Sequence, residues 1–378
     1  MESQEVKKAS FMSSVWAIIK KNAVMFIALI AAIITCFIIP PDKAYLKYFD
    51  YKTLTCLFCT LAVVCALKNI RFFYILAQKI VQVFKTARTS ILALVYITFI
   101  GSMLIANDMA LLTFLPLGFF VLTTTNQKKY MAFTFIMQNI AANLGGMLTP
   151  FGNPQNLYIY SFYNIPTLEF MGIMLLPFAL SVSLITLCCF IFVKKEPLVF
   201  TGEEVKLNAK RTIIYLILFA LAIIIVFRVL HYLIGLAVIF VSLLILDRKA
   251  LLKVDYGLLF TFVFFFVFAG NMARIEAVRE LFSKLLNKNT LLVSALSCQC
   301  ISNVPSAILL SQFTTNYADL LVGVNIGGVG TLIASLASLI TFREYVKNNP
   351  GKTGKYILEF SLFNFAFLII LLVVMSLV

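Results

Sequence analysis

Asp108 is the one acid in the interior of a long apolar stretch, and it follows Asn107 there. A carboxylate at hydrocarbon depth is costly, so a functional role is its default reading. It can complete the oxygen shell of a hard cation such as Na+, or carry a coupling proton. A protonated aspartate capping the helix that follows is the competing reading, since acids favour helix N-caps. Three further places interrupt apolar runs with Gly, Pro and Asn: Asn143 to Asn156, Ser302-Asn303-Val304-Pro305, and Asn325 to Thr331. Such interruptions are tolerated at membrane depth only where the broken backbone lines a protein cavity. Freed carbonyls there can hold a cation, and the N–H groups of the next half-helix can hold an anion.

The substrate and ion site is therefore expected at Asn107, Asp108, Asn143, Gly145, Gly146, Thr149, Asn153, Ser302, Asn303, Asn325, Gly327, Gly328 and Thr331. Asn107, Asp108, Gly145, Ser302, Asn303 and Gly327 are the possible Na+ ligands among them, and no other cofactor is expected. Close helix packing explains the glycine pairs by themselves. It does not explain why asparagine and threonine flank them twice.

The elements that must carry these residues follow from composition. The chain has 378 residues, 62% of them hydrophobic and 12% charged, about half the charged share of a soluble domain. Long apolar runs of roughly 17–25 residues recur from Asn22 to Val378, which predicts an all-α polytopic membrane protein rather than a barrel. The formal net charge of +15 lies in short links beside those runs, where it sets topology and meets anionic lipid, so no nucleic-acid partner is expected. The first run, Asn22 to Pro40, is full length without a small-residue cleavage site after it, and is expected to be retained. Eight cysteines sit in or beside apolar runs and there is one histidine, which reads as packing rather than as a metal set.

Internal similarity divides the chain. Asp42-Lys43-Ala44 with Asp50-Tyr51 matches Asp247-Arg248-Lys249-Ala250 with Asp255-Tyr256, and basic amphipathic segments follow at Arg71 to Arg88 and Arg274 to Lys288. Asn107 is answered by Asn303, Asn143 to Thr149 by Asn325 to Thr331, and Leu168-Glu169-Phe170 by Leu358-Glu359-Phe360, each of the last pair opening a final helix. Span counting predicts a first repeat over 1–193, with a re-entrant hairpin at about 89–123 and a broken helix at about 131–160. A linker and extra helix fill 194–230. A second repeat over 231–378 has its hairpin at about 290–316 and broken helix at about 318–342. An odd number of crossings separates corresponding helices, so the repeats have inverted topology, a plan typical of secondary transporters. Lys and Arg place Lys68–Arg88, Lys194–Arg211, Arg248–Lys253, Arg343–Lys355 and the N-terminus on the cytoplasmic side of a plasma membrane.

These motifs resemble the ion transporter superfamily that contains the divalent anion/sodium symporters, the citrate permeases and the arsenite efflux permeases. The resemblance covers nearly the whole chain. It implies an inverted-repeat homodimer with two hairpins, and an elevator-like transport domain moving against a scaffold. In the divalent anion branch both tips read Ser-Asn-Thr and hold sodium and substrate carboxylates. Here they read Ala106-Asn107-Asp108 and Ser302-Asn303-Val304, closer to the arsenite permease and sodium/proton antiporter branches. The function expected is secondary active transport of a small anion, a carboxylate or an inorganic oxyanion, coupled to Na+ or H+. A Na+/H+ antiporter or an arsenite-type efflux permease is the alternative. An enzyme is not expected, because one buried acid has neither a second acid, a Ser/His pair nor metal ligands beside it.

Overall fold

The computed structural model describes residues 22–198 and 207–378. Lys7, Lys8, Lys20, Lys21 and Lys206, assigned from sequence to the cytoplasmic side, lie outside the described residues. In chain order the helices are α1 (Ala23–Ile38), α2 (Tyr51–Asn69), α3 (Phe72–Gln82), α4 (Ala87–Ile105), α5 (Asn107–Thr124), α6 (Met131–Gly145), α7 (Pro154–Phe162) and α8 (Thr167–Phe192). Next come α9 (Ala209–Val226), α10 (Tyr232–Leu246), α11 (Arg248–Leu252), α12 (Tyr256–Arg274) and α13 (Glu276–Lys288). Then follow α14 (Thr290–Ile301), α15 (Asn303–Leu310), α16 (Tyr317–Ile326), α17 (Leu336–Asn348) and α18 (Thr353–Leu377). The described residues form no strand beyond one isolated bridge between Thr86 and Pro197.

Side-chain oxygens that accept the first free N–H groups fix many of the helix starts. Asp50 caps α2 through Thr53 N at 3.0 Å, and Asp255 caps α12 through Leu258 N at 2.9 Å. Asp42 and Asp247 likewise accept from Ala44 N and Ala250 N, so the matched acids open matched elements in the two halves. Among the described residues seven helices are long and apolar enough to cross a bilayer: α2, α4, α5, α8, α9, α12 and α18. Helices α8 and α18 expose most of their apolar surface, Leu168, Leu362 and Ile369 included. Helix α2, by contrast, is largely enclosed.

The helix pairs at 89–123 and 290–316 each break at one residue, Ala106 and Ser302, and are unequal. Arms of 19 and 18 residues form the first, and arms of 12 and 8 the second. Two boundaries differ from the sequence expectation. Pro350 and Gly351, the latter at φ +82°, stop one helix and let α18 begin at Thr353, so Leu358-Glu359-Phe360 lie inside that helix rather than opening it. The second broken helix also runs on to Asn348, which puts Arg343 on α17 instead of in a link.

Packing crosses the two halves. Helix α5 lies against α17, and α15 lies against α7 and α12. Each helix that begins at a tip therefore touches one element of the other half, α17 for α5 and α7 for α15, while α12 belongs to the same half as α15.

Candidate functional site

Both tips rest on a backbone that L-residues avoid. Ala106 has φ 64°, ψ 151° and Ser302 has φ 74°, ψ 160°. Non-glycine residues in this region cost roughly 1–3 kcal/mol each and persist only where the surroundings impose them. The next residue acts identically at each tip. Asn107 Oδ1 accepts from Asp108 N at 3.0 Å, and Asn303 Oδ1 accepts from Val304 N at 2.9 Å. The asparagines thus serve the first turns of α5 and α15, and Asp108 is not the cap. Its carboxylate lies half-buried in the first turn of α5, where the helix dipole favours negative charge, and its Oδ1 is enclosed without a hydrogen-bond partner.

Behind the tips the two broken helices repeat one another's contacts. Thr149 Oγ1 donates to Met103 O at 3.0 Å, and Thr331 Oγ1 donates to Gln299 O at 3.1 Å. Each threonine so ties a broken helix to the carbonyl three residues before a tip. Asn143 and Asn325 each donate back to the carbonyl four residues earlier, at 3.0 and 2.8 Å. Gly145 lies where any Cβ would strike Phe99 O, and at Gly327 a Cβ would come within 2.9 Å of Ala295 O. Only glycine lets the hairpin arms approach this closely.

One network spans both halves. Asn325 Oδ1 accepts from Asn153 Nδ2 and Gln155 Nε2, each at 3.3 Å, while Asn325 Nδ2 donates to Asn156 Oδ1 at 2.6 Å. Asn107 Nδ2 reaches Asn143 Oδ1 at 3.3 Å, and Asn143 O in turn accepts from Asn153 Nδ2 at 3.2 Å. Two amides occupy the carbonyls freed at the breaks. Asn156 Nδ2 donates to Gly146 O, Met147 O and Thr149 O at 3.1–3.3 Å. Gln299 Nε2 donates to Ala295 O, Gly327 O and Val329 O at 2.9–3.2 Å.

A cavity opens onto the tips. Asn107, Asp108, Ser302 and Asn303 reach its wall from the expected set, whereas Asn143, Gly145, Gly146, Thr149, Asn153, Asn325, Gly327, Gly328 and Thr331 form the layer behind it. Sequence reasoning left out five polar residues of the wall: Asn22, Gln155, Asp255, Thr261 and Arg343. Gln155 belongs to the Asn-Pro-Gln-Asn run, but no spacing argument selects it. Asp255 reads from sequence as an interfacial residue opening a span, and it does cap α12, yet that cap faces the cavity, within electrostatic reach of Asp108. Arg343 counts from sequence as topological charge, because its helix is longer than the apolar run. The arrangement juxtaposes a carboxylate with an unpartnered oxygen, two helix N-termini and a guanidinium. That is chemistry for holding a cation and an anion together, and the wall offers no nucleophile–base pair for covalent work.

A family profile described as "Citrate transporter" matches residues 11–321. The chain is 34% identical over 335 residues to a protein named uncharacterized transporter MJ0456 of Methanocaldococcus jannaschii, covering 88% of this chain and 91% of that one. It is 29% identical over 280 residues to inner membrane protein YbiR of Escherichia coli, covering 72% and 74%.

Proposed function

Because the chain belongs to the citrate transporter family, we propose that it is a secondary active transporter that moves a small anion, a carboxylate or an inorganic oxyanion, in exchange for the energy of a Na+ gradient. One observation carries the reading: both strained tips, Asp108 and Arg343 line a single cavity. The anion binds against the N-termini of α5 and α15, whose free N–H groups and dipoles favour negative charge. Arg343 adds a guanidinium suited to a planar carboxylate or an oxyanion. The cation sits at Asp108, since a hard ion takes oxygen ligands and the carbonyls of Gly327 and Val329 already accept from Gln299. A proton on Asp108 is the alternative coupling ion.

The repeated caps, tips and threonine ties support two repeats, 1–193 and 231–378, of inverted topology, with the hairpins re-entrant and the link 194–230 between them. Alternating access then follows from an elevator movement of the hairpin-bearing body against a scaffold built on α2, α9 and α10, in a homodimer of the plasma membrane with a cytoplasmic N-terminus. The test is uptake of citrate, sulfate, phosphate and arsenite into proteoliposomes across a matrix of Na+ concentration and pH, for the wild type and Asp108→Asn. Accumulation of at least one anion against its gradient is expected, driven by Na+ and weakened in the variant mainly in its Na+ dependence. Flux that only dissipates gradients refutes a coupled transporter, and unchanged dependence on both Na+ and pH in the variant removes Asp108 from coupling.

A further inference from the structure

Asp50 and Asp255 do the same structural work, one in each half, and differ in a single contact. Asp50 spends both oxygens on Thr53: Oδ1 accepts from its N–H at 3.0 Å and Oδ2 from its hydroxyl at 2.5 Å. Asp255 meets Leu258 at the corresponding place. Leu258 offers only its N–H, to Oδ1 at 2.9 Å, and has no hydroxyl for Oδ2. The cap is complete with one oxygen, so the second is surplus to the fold.

That surplus oxygen stands at a junction. A second cavity is lined by Lys68, Asn69 and Lys253, and Asn22, Asp255 and Gly257 line both this cavity and the one at the tips. Asp255 is thus the carboxylate common to the two, while Asp50 lines neither. Lys253 is turned aside from it, donating to Asn69 Oδ1 at 2.8 Å, and Asn69 in turn donates to Asp247. On the inner side Asp108 Oδ1 has no partner, and Gln155, 1% exposed and on the same wall, has its Oε1 without one either. Enclosed oxygens that lack a donor are what a hard cation needs, and they are costly to leave unpaired.

We propose that Asp255 is a second cation-binding carboxylate, which hands the coupling ion between the second cavity and Asp108 and Gln155 at the tips. The ion is a hard monovalent cation, and Na+ is the probe. This rests on the coupled-transport reading above. The two lysines of the second cavity draw the anion, while Asp255 holds the cation where the two cavities share a wall.

The pairing of Asp50 with Asp255 supplies its own control. Asparagine caps a helix as well as aspartate does, so Asp50→Asn and Asp255→Asn both keep the cap and lose one charge. The full-length protein, purified in detergent, is titrated with NaCl against choline chloride at constant ionic strength, and the thermal midpoint is read at each point. Asp255→Asn should raise the half-saturating Na+ concentration about tenfold, Asp108→Asn should raise it at least as much, and Asp50→Asn should leave it within twofold of the wild type. Asp255→Ser, which also caps without charge, should reproduce the shift if Asp255→Asn gives little folded protein. A shift for Asp108→Asn with none for either Asp255 variant overturns this proposal and leaves the coupling reading intact. A wild type whose midpoint does not respond to Na+ overturns both together. Equal shifts for Asp50→Asn and Asp255→Asn mean a general charge effect, and overturn the proposal as well.

Discussion

Asn325 holds the two halves together through buried hydrogen bonds, and removing its side chain should show how much they contribute. In Asn325→Ala, Asn153 Nδ2 keeps its bond to Asn143 O, so it loses little. Gln155 Nε2 loses the one partner it has, and Asn156 Oδ1 loses the one donor that reaches it. All three residues are at most 1% exposed, leaving no route for water to substitute. Two buried polar atoms without partners cost about 1–3 kcal/mol each, so the variant should be destabilised by about 2–6 kcal/mol. At roughly 2–4 °C per kcal/mol for a domain of this order, the thermal midpoint of purified protein should fall by at least about 4 °C. Asn139→Ala, which removes buried bonds to Asn364 Oδ1 and from Asn143 Nδ2 and Thr341 Oγ1 but none to Gln155, is the comparison for loss of a buried amide in general. Anion uptake should fall further in Asn325→Ala than in Asn139→Ala, because Gln155 is then free to leave the cavity wall. A midpoint within 2 °C of the wild type, with uptake intact, would show that this network neither joins the halves nor positions Gln155.

Gly145→Ala should be destabilised by about 1–3 kcal/mol by overpacking against Phe99 O, and Gly327→Ala should follow it. Gly172→Ala and Gly354→Ala, in α8 and α18 with open space at the Cβ position, should be neutral or stabilised by about 0.5–1 kcal/mol, all four read as melting midpoints. Thr149→Val and Thr331→Val each remove one hydroxyl tie to a hairpin arm and should lose similar stability, about 1 kcal/mol, with a larger fall in uptake than in midpoint. Single cysteines in a cysteine-free background should label Lys79 and Lys352 positions from the cytoplasm and Lys284 and Asn164 positions from outside, and labelling of the Lys79 and Lys284 positions from one side would refute the inversion.

Most of the helices can be read from the sequence because each is framed by a residue with a local job. Asp50, Asp247, Asp255 and Asn289 accept free N–H groups at helix starts, and a cap acts within three residues of itself, so its signal is local. The tips are legible for a related reason: Asn107 and Asn303 sit in apolar runs where an amide has no other purpose. What stays hidden are contacts whose partners are far apart in sequence. Gln299 fills carbonyls about thirty residues away, Asn325 joins residues about 170 positions apart, and nothing in a linear pattern selects either. Arg343 was obscured by the opposite effect, since an arginine past the end of an apolar run normally marks the end of a span.

The same comparison explains where chemistry enters an otherwise repetitive fold. Contacts that hold the fold recur in both halves: the tip asparagines, the threonine ties, the close-approach glycines and the capping acids. The residues that can bind a charge break that equivalence. Asp108 stands where the other half has Val304, Gln299 where it has Met103, and Leu258 leaves Asp255 an oxygen that Thr53 takes from Asp50. A symmetric scaffold would offer two equal cation sites. These three replacements instead put the available oxygens on one side and an amide on the other, so the proposed transport reading calls for a single coupling ion held between α5, α7 and α12.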